Sequence, residues 1–444
     1  VVAVAGAAGF GITDYVRDHR HDRDTVSGAA IPDQVGGASA RPAAPAANPG
    51  TPATPEHITL ALRQVATDPD LGPRLRAMIL DAATGSVLYD RGGTAPAAPA
   101  STAKILTAVA VLATHRPTDR ITTRVVRGTS AGTAVLVGGG DPTLTAATGA
   151  TAPAYAGAAR ISDLAAQLRK RNLPIIRIVV DGSRFSGPTV SPAWAPEDVP
   201  SDYASAITAV MADGGRADPG DTVRSASPDL AAGAALASDL DVPDAQIVRG
   251  RAPAHATVLA TVRSATYATL LEEMLQASDN VLAEALGRQV AIAMHQPASF
   301  AGAARAVRQV LAKLGVDPGT GMLDSSGLSA RDRISVVTLT RVLRLVIADR
   351  DHSLRTVLSD LPVSAWSGTL ATRFVGTNRA AGGLVRAKTG TLTGVSSLAG
   401  VVHTADGRLL VFALIADQVP PGYATYAEAA EDAIVSRLAA CGCS

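Results

Sequence analysis

Two lysines stand where lysine, rather than arginine, is the informative choice. The chain holds 40 Lys and Arg residues, and only Lys104, Lys170, Lys313 and Lys388 are lysine. Lys104 ends Ser101-Thr102-Ala103-Lys104, and Lys388 opens Lys388-Thr389-Gly390-Thr391. A guanidinium keeps its proton in any folded protein, whereas a desolvated lysine can lose one and act as a base. Proton transfer is therefore the chemistry these positions suggest. Three residues apart on a helix, Ser101 and Lys104 share one face, so hydroxyl and amine can come within hydrogen-bond reach. A serine beside a neutral amine is an activated nucleophile. The helix N-terminus adds free N–H groups and a positive dipole end, which favour the oxyanion of a tetrahedral intermediate. Taken alone, Ser101 is equally a good N-cap residue.

Two further segments complete a constellation. Ser278-Asp279-Asn280 lies between amphipathic helices predicted over 267–276 and 281–293, and by itself reads as a helix cap. Lys388-Thr389-Gly390-Thr391 lies near the end of a predicted strand, where Gly390 would let a substrate backbone approach closely. Ser-x-x-Lys, then Ser-Asp-Asn, then Lys-Thr-Gly, on helix start, interhelical loop and strand, form a specific set. Two close ammonium groups also lower each other's pKa, which helps keep one of them neutral.

The elements that must position these residues are legible in outline. Strands are expected over 75–80 and 85–89, around the turn Asp81-Ala82-Ala83-Thr84-Gly85. The helix predicted over 101–114 is apolar on nearly every face and belongs at a domain centre. Strands are expected over 384–388, 396–403 and 408–416, the last two joined by the hairpin signal Thr404-Ala405-Asp406-Gly407, before a closing helix over 426–440. Strands at both ends with helices between them predict an α+β fold, an antiparallel sheet flanked by helices. Between them, 119–261 reads as an inserted β-rich domain or domains, with short apolar runs at 134–137 and 175–180. Gly138-Gly139-Gly140 reads as a tight turn, since no Gly-Lys-Ser/Thr follows to make a phosphate loop.

The chain has 444 residues, 47% of them hydrophobic, and a formal net charge of +1. That is enough for two or three domains, and it offers no broad basic face for nucleic acid. The eight His are dispersed and no His-Glu-x-x-His or Cys-x-x-Cys occurs, so neither metal nor other cofactor is expected. Cys441 and Cys443, one residue apart, suit neither a relaxed intramolecular disulfide nor a metal site. Val1–Ile12 is apolar but shorter than the roughly 20 residues of a membrane span. It reads as the remnant of a signal sequence or membrane anchor, with an N-terminal strand or buried helix as the plainer alternative. Residues 13–56 follow as a charged juxtamembrane stretch and a Pro/Ala-rich spacer. The expected catalytic domain is then discontinuous, 57–118 and 262–444, working just outside a membrane.

These motifs resemble the penicillin-recognising serine acyltransferases. Within them the chain is similar to the D-Ala-D-Ala carboxypeptidases and endopeptidases of low-molecular-mass class C, the penicillin-binding protein 4 type. Gly139-Gly140-Asp141-Pro142-Thr143-Leu144 resembles that group's Gly-Asp-Pro segment. Asp324-Ser325-Ser326-Gly327-Leu328-Ser329 resembles its Asp-Gly-Ser-Gly-Leu-Ser segment, with Ser325 in place of the usual Gly. The long insertion between the first and second motifs also fits, although it is short for two full extra domains. The resemblance runs from about residue 57 to 435. It implies a serine β-lactamase/transpeptidase-like fold acting on peptidoglycan stem peptides through an acyl-serine, with β-lactams as covalent inhibitors. Residue by residue, it implies Ser101 as nucleophile, Lys104 as its base, and Ser278 and Lys388 in the path returning a proton to the leaving D-Ala. It further implies that Asn280 holds the substrate amide, that Lys388, Thr389 and Thr391 face the terminal carboxylate beside Gly390, and that the N–H groups of Ser101 and Thr391 form the oxyanion hole.

Two rival functions fit part of this pattern. A β-lactamase shares all three motifs, but class A enzymes deacylate with a glutamate between the second and third. From Val281 to Ala387 the chain has only Glu284, one turn after Asn280 and too early to match. A non-catalytic wall-binding or β-lactam-sensing module would have no need of Lys104.

Overall fold

The computed structural model describes residues 54–349 and 353–441. The apolar N-terminus, nearly all of the spacer and Cys443 fall outside them, and with them the readings of an anchor and of a Cys441–Cys443 bridge. The first helix, Pro55–Leu62, begins two residues before His57, with Thr54 as N-cap accepting from the His57 N–H.

Two five-stranded sheets form the frame. The first contains β1 (Leu75–Asp81), β2 (Val87–Arg91), β8 (Val385–Leu392), β9 (Val395–His403) and β10 (Leu409–Ala416). Its order is β2-β1-β10-β9-β8, and every pairing is antiparallel. The N-terminal strands thus close onto the C-terminal ones, with Leu75 opposite Ala416 and Asp81 opposite Leu410. Both faces are covered, which is why β10 is a continuous apolar run instead of an alternating one and β9 is buried as far as Val402. Val411, Ala413 and Ile415 pack on one side with helix Lys104–Thr114, while Leu410, Phe412 and Leu414 pack on the other with helix Ala424–Ala440.

Helix Lys104–Thr114 is the hub of the first core, and every residue from Lys104 to Leu112 is buried. It stops at His115, which is extended ahead of Arg116 and Pro117, where proline disfavours helix in the residue before it. Around it pack helices Tyr267–Gln276, Asn280–Ala293, Phe300–Lys313 and Val336–Ala348.

The second sheet contains β3 (Arg120–Arg127), β4 (Thr133–Val137), β5 (Arg177–Asp181), β6 (Gln246–Arg249) and β7 (Val258–Thr266), in the order β6-β5-β4-β3-β7. β4, β5 and β6 run parallel, whereas β3 is antiparallel to β4 and β7. Parallel neighbours need long crossovers. Helices Ile161–Arg169 and Pro228–Asp239 supply them and pack Leu164, Leu168 and Leu236 against Leu136, Ile178 and Val180. This segment is therefore mixed α/β rather than β-rich. The signal was present in Ile161, Leu164, Ala165 and Leu168, spaced for one helix face. β7 extends past residue 261 and leads directly into helix Tyr267–Gln276, capped by Thr266.

Candidate active site

The Ser101 segment turns more tightly than a plain helix start. Ala100–Ala103 is a 3₁₀ turn and the α-helix begins at Lys104, so Ser101 is not an N-cap and makes no capping bond. Ala100 sits at φ 46, a left-handed backbone that costs a non-glycine residue on the order of 1 kcal/mol. The segment is held there by Ser397, whose hydroxyl donates to the Pro99 carbonyl at 2.7 Å.

Lys104 is fully buried, and its Nζ has three partners: Ser101 Oγ at 2.8 Å, Asn280 Oδ1 at 2.6 Å and the Ser326 carbonyl at 2.8 Å. Burial pushes its pKa down to about 8, against the opposing pull of Asp324, Asp279 and Glu284. A neutral amine 2.8 Å from a serine hydroxyl can accept its proton. Lys388, also fully buried, is lowered well below the ordinary lysine value, first by burial and then by Lys104. Its Nζ donates to the Thr389 carbonyl at 2.9 Å. The spare cation expected there for a substrate carboxylate is thus disfavoured in the free site, because no anion offsets its desolvation.

Asn280 opens helix Asn280–Ala293 and faces inward; besides Lys104, its Nδ2 donates to the Tyr203 carbonyl at 3.1 Å. Asp279 caps that helix by accepting from the Leu282 N–H at 2.9 Å. Ser278, at φ 57 and half-buried, makes no side-chain hydrogen bond among the described residues, so the free structure links it to neither lysine.

Lys388, Thr389, Gly390 and Thr391 lie within β8, which runs past the expected end at Lys388 to Leu392. A Cβ on Gly390 would stand 2.4 Å from Ser397 Oγ and 2.8 Å from the Ser101 nitrogen. Gly390 therefore admits the chain's own Ser101 segment, a closer constraint than the substrate approach expected of it. Thr389 donates to Thr369 Oγ1 at 2.7 Å. The single hydroxyl proton of Thr391 goes to Glu428 Oε1 at 2.8 Å.

Several supporting residues carried no signal of their own in the sequence. Tyr155 and Arg224, both from the second-sheet segment, grip Asp279 at 2.8 and 2.9 Å. Burial works to raise the Asp279 pKa, yet Arg224 and Arg216 hold it well below the usual carboxylate range. The loop Asp324–Ser329 was visible as a motif, but its work was not. Asp324 accepts from the N–H groups of Gly327 and Ser329 and from Trp194 Nε1, shaping the loop so that the Ser326 carbonyl meets Lys104. Gly327, at φ 78, places its Cα hydrogen where a Cβ would stand 1.9 Å from the Ala100 carbonyl. Glu284 lies behind this loop, fully buried, with Oε1 accepting from the Ser325 and Ser326 N–H groups at 2.9 and 2.8 Å. Its Oε2 lies 3.6 Å from Arg288 Nη1, so the side chain serves as an acceptor that holds the loop. Among the described residues, no group of three or more His, Cys, Asp or Glu is placed to hold a metal ion.

The family model described as D-Ala-D-Ala carboxypeptidase 3 (S13) matches residues 58–222 and 217–440. A carboxypeptidase of Mycobacterium tuberculosis is 43% identical over 403 residues, covering 89% of this chain and 86% of the relative. Carboxypeptidase DacB of Mycolicibacterium smegmatis is 42% identical over 393 residues, covering 87% and 84%. Among solved structures, penicillin-binding protein 4 from Haemophilus influenzae superposes with a TM-score of 0.68 at 22% identity, covering 83% of this chain and 94% of the other. That likeness speaks to the fold, and the α+β, penicillin-binding architecture expected from the sequence is the one found. With both halves of the chain matched and the relatives aligned almost end to end, the protein belongs to the D-Ala-D-Ala carboxypeptidase 3 (S13) family.

Proposed function

We propose that this chain is a serine D,D-carboxypeptidase and D,D-endopeptidase that cleaves at D-Ala in peptidoglycan stem peptides and is acylated by β-lactams. The observation that carries the mechanism is Lys104 Nζ, buried, lowered to about 8 and 2.8 Å from Ser101 Oγ. Neutral Lys104 takes the Ser101 proton as Oγ attacks the D-Ala carbonyl carbon. The oxyanion that forms is held by the N–H groups of Ser101 and Thr391. Collapse breaks the amide bond, and the proton held by Lys104 passes through Ser278 and Lys388 to the departing amine, leaving an acyl-serine beside a neutral Lys104. Water then attacks the ester and gives a proton to Lys104, which returns it to Ser101 Oγ as the ester bond breaks. Asn280 fixes Lys104 and meets the substrate amide. The terminal carboxylate settles beside Lys388, Thr389 and Thr391; its charge favours proton uptake by Lys388, and Thr391 turns from Glu428 to receive it.

Residues 57–118 and 262–444 form the catalytic part, with the intervening segment bracing Asp279. The enzyme works outside the cytoplasm, delivered or held there by the apolar N-terminus, and among the described residues no helix is long and apolar enough to cross a membrane. The test is labelling of the protein with fluorescent penicillin, wild type against Ser101→Ala, followed over hours. Stable label on wild type alone, with D-Ala released from pentapeptide, is expected. Label lost within seconds would overturn the reading in favour of a β-lactamase, and absence of label would favour a non-catalytic binding module.

A further inference from the structure

A cleft of about 810 Å³ opens between the second sheet and the catalytic helices, away from every residue assigned above to catalysis or substrate. Its walls carry Arg120, Arg124 and Arg184 with His115, against a single carboxylate, Asp119. Asp119 is already tied to Arg116, through the backbone N–H at 3.0 Å and the guanidinium at 3.1 Å. Arg120 is anchored on the Ser264 carbonyl at 2.6 Å. Arg124 and Arg184 are exposed, and their guanidinium groups make no hydrogen bond or ion pair among the described residues.

A second observation is independent of these charges. Tyr267 is 4% exposed and stacks on His115 with ring centroids 4.5 Å apart, yet its hydroxyl has no hydrogen-bond partner among the described residues. The ring is buried while the hydroxyl opens onto the cleft, free to bond an incoming group. Here the ring lines the cleft and its hydroxyl lies close enough to Asp119 and Arg184 to feel both. Guanidinium forks, a waiting hydroxyl and a flat aromatic wall suit a chain that carries planar carboxylates.

We infer that this cleft is a second binding site for an acidic peptide, namely another stem peptide of the wall polymer being cleaved. The inference rests on the activity proposed above, since only a substrate with repeated acidic peptides can reach both places. The spacing allows it: Gln289, on the cleft wall, lies nine residues along the helix from Asn280, about 14 Å at the rise of an α-helix. Two linked contacts raise the effective concentration of polymer at Ser101 without any new contact there.

The experiment uses protein acylated with penicillin, so that Ser101 is blocked, titrated with the tetrapeptide that D-Ala release leaves behind. Saturable binding is expected. It should weaken roughly tenfold or more in Arg124→Glu/Arg184→Glu, and likewise when the peptide carboxylates are amidated. Activity on crosslinked polymer should fall in that variant, while penicillin acylation and kcat/KM on free pentapeptide stay at wild-type levels, which also shows that it is folded. No binding, binding indifferent to the charge reversals, or tighter binding of a glycerol-phosphate oligomer than of the peptide would overturn the inference. If wild type fails to acylate, the catalytic reading falls, and the same titration on untreated protein still decides the cleft.

Discussion

Lys104 illustrates why a lysine among arginines was informative. Its pKa near 8 leaves roughly one molecule in ten with a neutral amine at pH 7, and that fraction rises about tenfold per unit below 8. The rate constant for penicillin acylation should therefore climb between pH 6 and 8 and level off above. Lys104→Met should lower it by about 10²–10⁴-fold and abolish the climb. Lys104→Arg should do the same although it keeps the charge, because guanidinium cannot accept the proton. Stopped-flow acylation across that pH range checks all three; a Lys104→Arg enzyme with wild-type rates would exclude Lys104 as base.

The loop Asp324–Ser329 settles what Ser325 does in place of the usual Gly. Ser325 is fully buried, and its φ lies outside the left-handed region, so the backbone tolerates a side chain. Space for it comes from Gly287 on helix Asn280–Ala293, where a Cβ would stand 2.0 Å from Ser325 Oγ. That hydroxyl has no hydrogen-bond partner among the described residues, an omission that costs about 1–3 kcal/mol. Ser325→Ala should accordingly raise stability by about 1 kcal/mol in urea unfolding while leaving acylation intact, since the Ser326 carbonyl keeps its place. A loss of stability would mean that the hydroxyl is satisfied in solution. Gly287→Ala should destabilise, because the helix and loop cannot both stay where they are.

At the scale of the molecule, the second-sheet segment is a structural partner of the site. Arg224 and Asp279 are both 4% exposed at the side chain and lie 2.9 Å apart. Removing one member of such a pair leaves a buried charge unmatched, at about 3–5 kcal/mol. Arg224→Met should cost that much in urea unfolding and also slow acylation, since Asp279 caps the helix that carries Asn280; loss of stability with normal acylation would separate the two roles. Stability should depend on pH as well. Burial pushes Glu431 up to about 8, and Glu284 and Asp360 up to about 7. Acids whose folded pKa exceeds the unfolded one stabilise fully below the unfolded value, near pH 4.5, and lose that contribution as pH rises through the folded one. The lowered lysines act in the opposite direction above their own folded values, so the informative quantity is a difference. Between pH 5 and 8 the melting temperature of Glu431→Gln should fall less steeply than that of wild type, and parallel slopes would place Glu431 in its charged form.

By itself the sequence determined the α+β class and the family, and it supplied the proposed catalytic groups, because each is written locally. Ser101 and Lys104 share a helix face, Asp279 caps a helix, and Val411 to Ile415 read as a buried strand. It also carried, unread, the helix face of Ile161 to Leu168 that makes the inserted segment α/β. Only the tertiary structure decided which groups work on which. Lys104 meets the Ser326 carbonyl 222 positions away and Arg224 meets Asp279 55 positions away. It also reassigned Gly390 from substrate approach to packing against Ser101, and showed Lys388 disfavouring its charge in the free site. Burial and long-range pairing arise only when distant segments close on one another, and no local pattern of residue types encodes the desolvation that follows.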